Sequence, residues 1–193
     1  MATNVTCTAG SAVAGDVGVS PGSAFTKTGC TIAGATPPAT NAAAGQARAA
    51  SLSVYAALQR QSTSCIQKTG NLAGANLPAG VYCLDAVAKT GTLTLTGPSN
   101  DVWIFLVNGA LTGTNFSVAM AGGGQPCNVF WAPGAATTMT TSAFKGNILA
   151  GGAAGSITLT RGTLAGRALA NVAVTMIGAS LIGCDPGRKG GNK

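Results

Sequence analysis

The chain has 193 residues, enough for one domain with a substantial core, and its formal net charge of +7 sets 11 Lys and Arg against four Asp and no Glu. Only 8% of residues are charged and 46% are hydrophobic, so the chain is expected to fold and to face water with Thr, Ser, Ala and Asn instead of ions. There is no His, and Lys27, Arg48, Arg60, Lys68, Lys89, Lys145, Arg161 and Arg167 are scattered, which argues against a nucleic-acid surface; Arg188, Lys189 and Lys193 fall in a Gly-rich tail over 185–193.

Met1-Ala2-Thr3 lacks the basic and apolar regions of an export signal, and no stretch approaches the roughly 18 apolar residues of a membrane span. The chain therefore reads as a mature, exported form. Residues from Asn41 to Arg60 predict the one long helix, following the breaker Pro37-Pro38, with Thr40 as N-cap. Its apolar stripe is Ala47, Val54, Tyr55 and Leu58, leaving Gln46, Arg48, Gln59 and Arg60 to water.

From Gly70 to Cys184 short β-branched and apolar runs alternate with Gly, Asn and Pro, the pattern of strands and turns. Three units recur at a period of about 20 residues. The first is Thr138-Met139-Thr140, Thr158-Leu159-Thr160 and Thr175-Met176-Ile177; the second is Ala143-Phe144, Thr163-Leu164 and Ser180-Leu181. The third is Asn128-Val129-Phe130-Trp131, Gly146-Asn147-Ile148-Leu149-Ala150 and Gly166-Arg167-Ala168-Leu169-Ala170.

Three strands per period, at about 3.3 Å per residue, give a coil with a perimeter near 60 Å, so the fold class is mainly β, a triangular β-solenoid of about six coils. Met139, Leu159, Met176, Phe144, Leu164, Leu181, Ile148, Val129, Leu93 and Leu95 are its expected inward residues. Residues 102–107 and 110–114 read as one irregular coil, and the helix or the N-terminal segment as the cap of an open end. The domain is expected to span 1–184.

The six Cys, at 7, 30, 65, 83, 127 and 184, lack zinc-type spacing and read as disulfides of a secreted protein, with no metal or cofactor. Many pairings are open; proximity and the coil repeat favour Cys7 with Cys30, Cys65 with Cys83 and Cys127 with Cys184.

In a strand whose central Leu or Met points inward, both flanking Thr point outward. Thr94 and Thr96, Thr112 and Thr114, Thr138 and Thr140, Thr158 and Thr160, and Thr175 beside Ile177 are then expected to form one flat grid, loosened at Gly113. Its spacings would be about 7 Å within a strand and about 4.7–4.9 Å between coils. Each point offers a methyl and a hydroxyl of restricted χ1, a rigid lattice able to hold ordered water and to match an ice plane. Thr is also simply favoured in strands, so the repetition in register, not one TxT, carries this reading.

Catalysis finds little support. Without His or Glu there is no Ser-His arrangement and no obvious carboxylate pair, and the runs Gly122-Gly123-Gly124 and Gly151-Gly152-Ala153-Ala154-Gly155 lack the Lys-Ser/Thr of a phosphate cradle and read as turns.

Gly15-Asp16-Val17-Gly18-Val19-Ser20-Pro21-Gly22, Leu77-Pro78-Ala79-Gly80-Val81-Tyr82-Cys83, Cys127-Asn128-Val129-Phe130-Trp131, and the repeats at Gly146 and Gly166 together resemble the microbial ice-binding (antifreeze) proteins. The resemblance spans roughly residues 10–184. It implies a discontinuous right-handed β-helix of triangular section, a long helix along one side, and a flat face able to meet ice, with the Thr pairs at the outward positions. Members begin with an apolar strand before the GDVGVSPG segment, and only Asn4-Val5-Thr6-Cys7 stands in its place here. A secreted, non-catalytic ice-binding protein that inhibits ice growth or recrystallisation is therefore expected. The alternative is a structural or adhesive extracellular protein, self-associating as a filament subunit through its N-terminal end or solenoid edges.

Overall fold

The computed structural model describes residues 2–183. Strands β1 (Ala2–Thr8), β2 (Ala12–Val13), β3 (Val19–Thr28) and β4 (Thr31–Ile32) precede α1 (Asn41–Gln59). After the helix come β5 (Ile66–Lys68), β6 (Asn76–Leu77), β7 (Gly80–Leu84), β8 (Lys89–Thr96), β9 (Trp103–Val107) and β10 (Leu111–Ala121). The rest is β11 (Val129–Pro133), β12 (Thr137–Lys145), β13 (Asn147–Ala150), β14 (Ile157–Ala165), β15 (Ala168–Ala170), β16 (Ala173–Ile177) and β17 (Ser180–Ile182). The protein is mainly β, with two parallel sheets and one helix.

The first sheet runs β3-β1-β16-β14-β12-β10-β8-β6, with β17, β2 and β4 branching from β14; the second runs β15-β13-β11-β9-β7-β5. Each long strand of the first sheet bends once. The bends fall at positive φ, at Gly91, Asn115, Thr141 and Arg161, and the turns at Ala9 and Gly178 continue the series. Left-handed backbone is unusual for a β-branched Thr. At Thr141 the next residue stitches the bend: the buried Ser142 hydroxyl donates to the Thr140 carbonyl at 3.0 Å and accepts from the Phe116 N–H at 3.2 Å.

The bends divide the first sheet into two ladders. Ladder A contains residues 111–114, 137–140, 157–160 and 173–177; ladder B contains 92–96, 116–121, 142–145, 163–165 and 180–182. The second sheet is ladder C. The expected repeats are in register: Met139 pairs with Leu159, Phe144 with Leu164 and Ile148 with Ala168 at a step of 20 residues, and Leu159 pairs with Met176 and Leu164 with Leu181 at a shorter step of 17. Side chains alternate in and out of these strands. Met139, Leu159, Met176, Phe144, Leu164, Ile148, Val129, Leu93 and Leu95 are buried, and Leu181 packs against them half-buried. Phe105 stacks on Trp131 at 4.0 Å, and Phe116 and Phe144 lean on the same indole. The two buried indoles donate to carbonyls, Trp103 to Leu77 and Trp131 to Lys145, so neither N–H is stranded.

The N-terminal segment does not precede ladder A in space. β1 pairs with β16 on one side and β3 on the other, so the first strands extend the sheet beyond the last ones. Ala2–Thr8 takes the place of the apolar strand that opens the family's members, and Cys7–Cys30 ties β1 to the turn after β3. Cys65–Cys83 ties β7 to the segment after the helix. Both pairings are as expected; Cys127 with Cys184 involves a residue outside those described, as does the tail over 185–193.

Having ended at one edge of the sheets with β4, the chain must return to the other edge to begin β5. α1 makes that return. Its 19 residues span about 28 Å, close to the roughly 24 Å that six strands cover. It covers ladder C, where Leu58 packs with Leu106 and Ala132, and Tyr55, Ile104 and Phe130 pack against that cluster. The stripe differs from the expected one. Ala44 and Leu58 are buried, whereas Val54 is 44% exposed and Ala47 is exposed. Arg48 bonds Asn171, the Tyr55 hydroxyl donates to the Pro133 carbonyl at 3.1 Å, and Gln59 donates to the Ala132 carbonyl at 3.1 Å. Arg48 and Gln59 thus grip the sheet instead of facing water. Thr40 makes no side-chain cap; its hydroxyl donates to the Val17 carbonyl at 2.7 Å and fixes where the helix leaves the sheet. A Cβ on Gly151 would lie 2.4 Å from Tyr55 Cγ, so this glycine run serves close helix approach.

Lys89, wholly buried, donates to the Gly70 carbonyl at 2.6 Å and to Asp85 Oδ1 at 2.9 Å. That hydrogen bond, with a second from the Gly70 N–H, holds the Asp85 carboxyl below its ordinary value of 3.8. A lowered folded-state value stabilises the protein above the unfolded value and is lost as pH falls through the folded one. Asp85→Asn should lower the melting temperature near neutral pH, and the gap from wild type should close as the pH drops below about 3.8 in a calorimetric series.

Two further changes test the packing. The buried Thr137 hydroxyl has no hydrogen-bond partner, so Thr137→Val should raise unfolding stability by about 1 kcal/mol in denaturant titration. Cys7→Ala/Cys30→Ala, opening a link of sequence separation 23, should cost about 3 kcal/mol and speed amide exchange in β3.

Candidate functional site

Of the three ladders, C is covered by the helix. Ladder A presents two outward columns. One runs Thr112, Thr138, Thr158, Thr175, Thr6 and Thr26; the other runs Thr114, Thr140, Thr160, Ile177, Thr8 and Thr28. Every neighbour in a column is a register partner, so the steps follow the strand spacing of about 4.8 Å, and the two columns stand about 7 Å apart. Six rows make the grid about 24 Å long.

Its rigidity comes from beneath. Between the columns lies an inward line of Gly113, Met139, Leu159, Met176 and Cys7, all buried, so each row is anchored in the core. Gly113 does not loosen the grid. It faces inward, and a Cβ there would lie 2.6 Å from Met139 Sδ and 3.2 Å from Phe116 Cβ, so glycine lets Met139 fill the core below two well-placed threonines. Ile177, 39% exposed, is the single position of the two columns without a hydroxyl. Thr8 is the one threonine of the columns, among the described residues, whose hydroxyl donates to a backbone carbonyl, that of Met176 at 3.3 Å.

Thr94 and Thr96 belong elsewhere. Thr94 pairs with Asn76 and Ala119, and Thr96 with Ala121, all on ladder B. The Thr96 hydroxyl donates to Asn76 Oδ1 at 2.7 Å. The expected single grid of nine threonines is therefore seven on ladder A and two on ladder B. The reason is a register shift: β8 opens with Lys89 opposite Gly113 and has already bent at Gly91, so its TLTLT run lies past the bend. Elsewhere ladder B mixes Ser117, Ala143, Lys145, Thr163, Ala165 and Ser180, without a repeated threonine column. Four grid residues escaped sequence reasoning: Thr6, Thr8, Thr26 and Thr28. The motifs Thr6-Cys7-Thr8 and Thr26-Lys27-Thr28 carry the same TxT signal, hidden because their central residues are Cys and Lys.

No group of three or more His, Cys, Asp or Glu that could hold a metal lies among the described residues, and none of their helices is long and apolar enough to cross a membrane.

The profile of the Ice-binding-like family matches residues 1–182. An ice-binding protein of Nostoc sp. (strain HG1) is 37% identical over 180 residues, covering 89% of this chain and 65% of its own length. One from Flavobacterium frigoris (strain PS1) is 38% identical over 110 residues, covering 55% of this chain and 39% of its own. This chain thus spans between about two fifths and two thirds of the length of such curated relatives. Among solved structures, the ice-binding protein of the Antarctic ascomycete Antarctomyces psychrotrophicus superposes with a TM-score of 0.80 at 28% identity, covering 96% of this chain and 93% of that one. With the profile matching nearly its whole described length, the chain belongs to the Ice-binding-like family.

Proposed function

We propose that this protein is a secreted, non-catalytic ice-binding protein that adsorbs to ice through ladder A and slows ice growth or recrystallisation. The observation that carries this reading is the register of the two columns, in which eleven threonines and Ile177 repeat with the strand spacing over six rows. In the accompanying fold reading, the three ladders are the sides of a right-handed triangular β-solenoid forming a single domain, with ladder A as one uncovered flat side. Each contact with ice is weak. A face whose Thr χ1 angles are restricted and whose backbone is fixed by hydrogen bonds loses little entropy on docking, so many weak contacts can add.

The chemistry suits a neutral crystal surface. Neither column contains a charge; Lys27 lies between Thr26 and Thr28 on the line of Cys7, at the sheet edge. Methyls exclude disordered water while hydroxyls hold ordered water at lattice spacing. Disulfides at Cys7–Cys30 and Cys65–Cys83 support an extracellular setting.

The test separates the ladders. Replacing Thr138 and Thr158 with Tyr should abolish thermal hysteresis and recrystallisation inhibition, whereas Thr94→Tyr on ladder B should leave both close to wild type. Wild-type values indistinguishable from those of a control protein would rule out ice binding; equal loss from Thr94→Tyr would move the contact to ladder B.

A further inference from the structure

We infer that the two edges of the sheets are latent docking surfaces for a second copy of this chain, and that inward-placed lysines, Lys27 at one edge and Lys68 at the other, hold them closed. The edges are open in the hydrogen-bonding sense. Among the described residues, β3 and β4 end one side of the first sheet, and β5 and β6 end the other side of the two sheets, each with a single partner strand. All pairing is parallel, so the edge of one copy can continue the register of the next, the arrangement that templates growth of an unprotected sheet.

Both edges also carry apolar residues at core positions. At the first, Phe25 pairs with Val5 and Ile32 with Val13, each half-buried above a buried partner. At the second, Ile66 pairs with the buried Tyr82 yet is itself 52% exposed. An apolar end face with unpaired strands fits nothing so well as another copy of itself.

The lysines oppose this. Lys27 pairs with Cys7 and so occupies the inward line of ladder A one row beyond the core; Lys68 pairs with Leu84 and occupies the corresponding place on ladder C. Cys7 is 1% and Leu84 2% exposed, so the next row inward would be wholly buried in a stacked pair. The inward line of ladder A reads Lys89, Gly113, Met139, Leu159, Met176, Cys7 and Lys27, without charge between the two lysines. Lys89 is already buried within the chain, held by Asp85 and Gly70. Head-to-tail stacking would bury the Lys27 ammonium of one copy against the Gly70–Asn71 segment that covers Lys89 of the next, taking it out of water with no carboxylate on its own ladder to pair with. Inward-pointing charge is a recognised defence of exposed sheet edges.

The experiment is sedimentation velocity over a concentration series, with circular dichroism as the check on folding. Wild type should stay monomeric. Lys27→Leu/Lys68→Leu should associate at least about a hundredfold more tightly, while Lys145→Leu on ladder B, the same exchange made away from the edges, should behave as wild type. A folded double variant as monomeric as wild type, association of the Lys145→Leu protein to the same degree, or a wild type already assembled would each overturn the inference. If the leucine variant misfolds, Lys27→Gln/Lys68→Gln removes the charges at nearly constant stem length and must still associate more tightly than wild type.

Discussion

Parallel registration of ladder A is the constraint on which the rest depends. Backbone hydrogen bonding between β10, β12, β14, β16, β1 and β3 sets like residues beside like, and alternation along each strand then sorts them into buried and outward lines. A slip of one residue would exchange the two, sending Met139, Leu159 and Met176 to solvent and the threonines into the core. The cost of that exchange is what keeps the threonines in register on the outer side. The core and the surface are therefore specified by the same hydrogen bonds.

The remaining elements protect that register. Bends at Asn115, Thr141 and Arg161 recur in the same relative place, so successive strands change direction together. The helix serves as a strut whose length matches the width of the sheet it crosses, and it is fastened by side chains donating to carbonyls of ladder C as well as by apolar contact. Its return across the sheet is also why the N-terminal strands can extend ladder A: the chain finishes one edge before it starts the other. Cys7–Cys30 secures the segment that would otherwise be easiest to peel away.

A surface of this kind needs no titrating group, and the sparse ionic inventory is spent on structure. Lys89 and Asp85 pair at one end of the core, Arg48 anchors the helix to Asn171, and Lys27 and Lys68 stand at the edges. What remains outward on ladder A is neutral.

The sequence alone determined that the chain is mainly β with one helix and that it repeats, because a period near 20 residues and inward Leu, Met and Phe are properties of the chain read linearly, and hydrophobic burial makes them inside residues in any arrangement. It also determined the helix position and the pairings Cys7–Cys30 and Cys65–Cys83. Only the tertiary structure decided which threonines share a face. Thr94 and Thr96 look identical to Thr138 and Thr140 in sequence, yet an extra residue near Asn115 and the bend at Gly91 carry them to ladder B. Thr6, Thr8, Thr26 and Thr28 join ladder A from the far end of the chain, through pairing across some 170 residues that no local pattern encodes. Outward residues feel little of the core, so their placement follows from the spatial order of strands, and that order is fixed by long-range hydrogen bonding and by the return path of the helix.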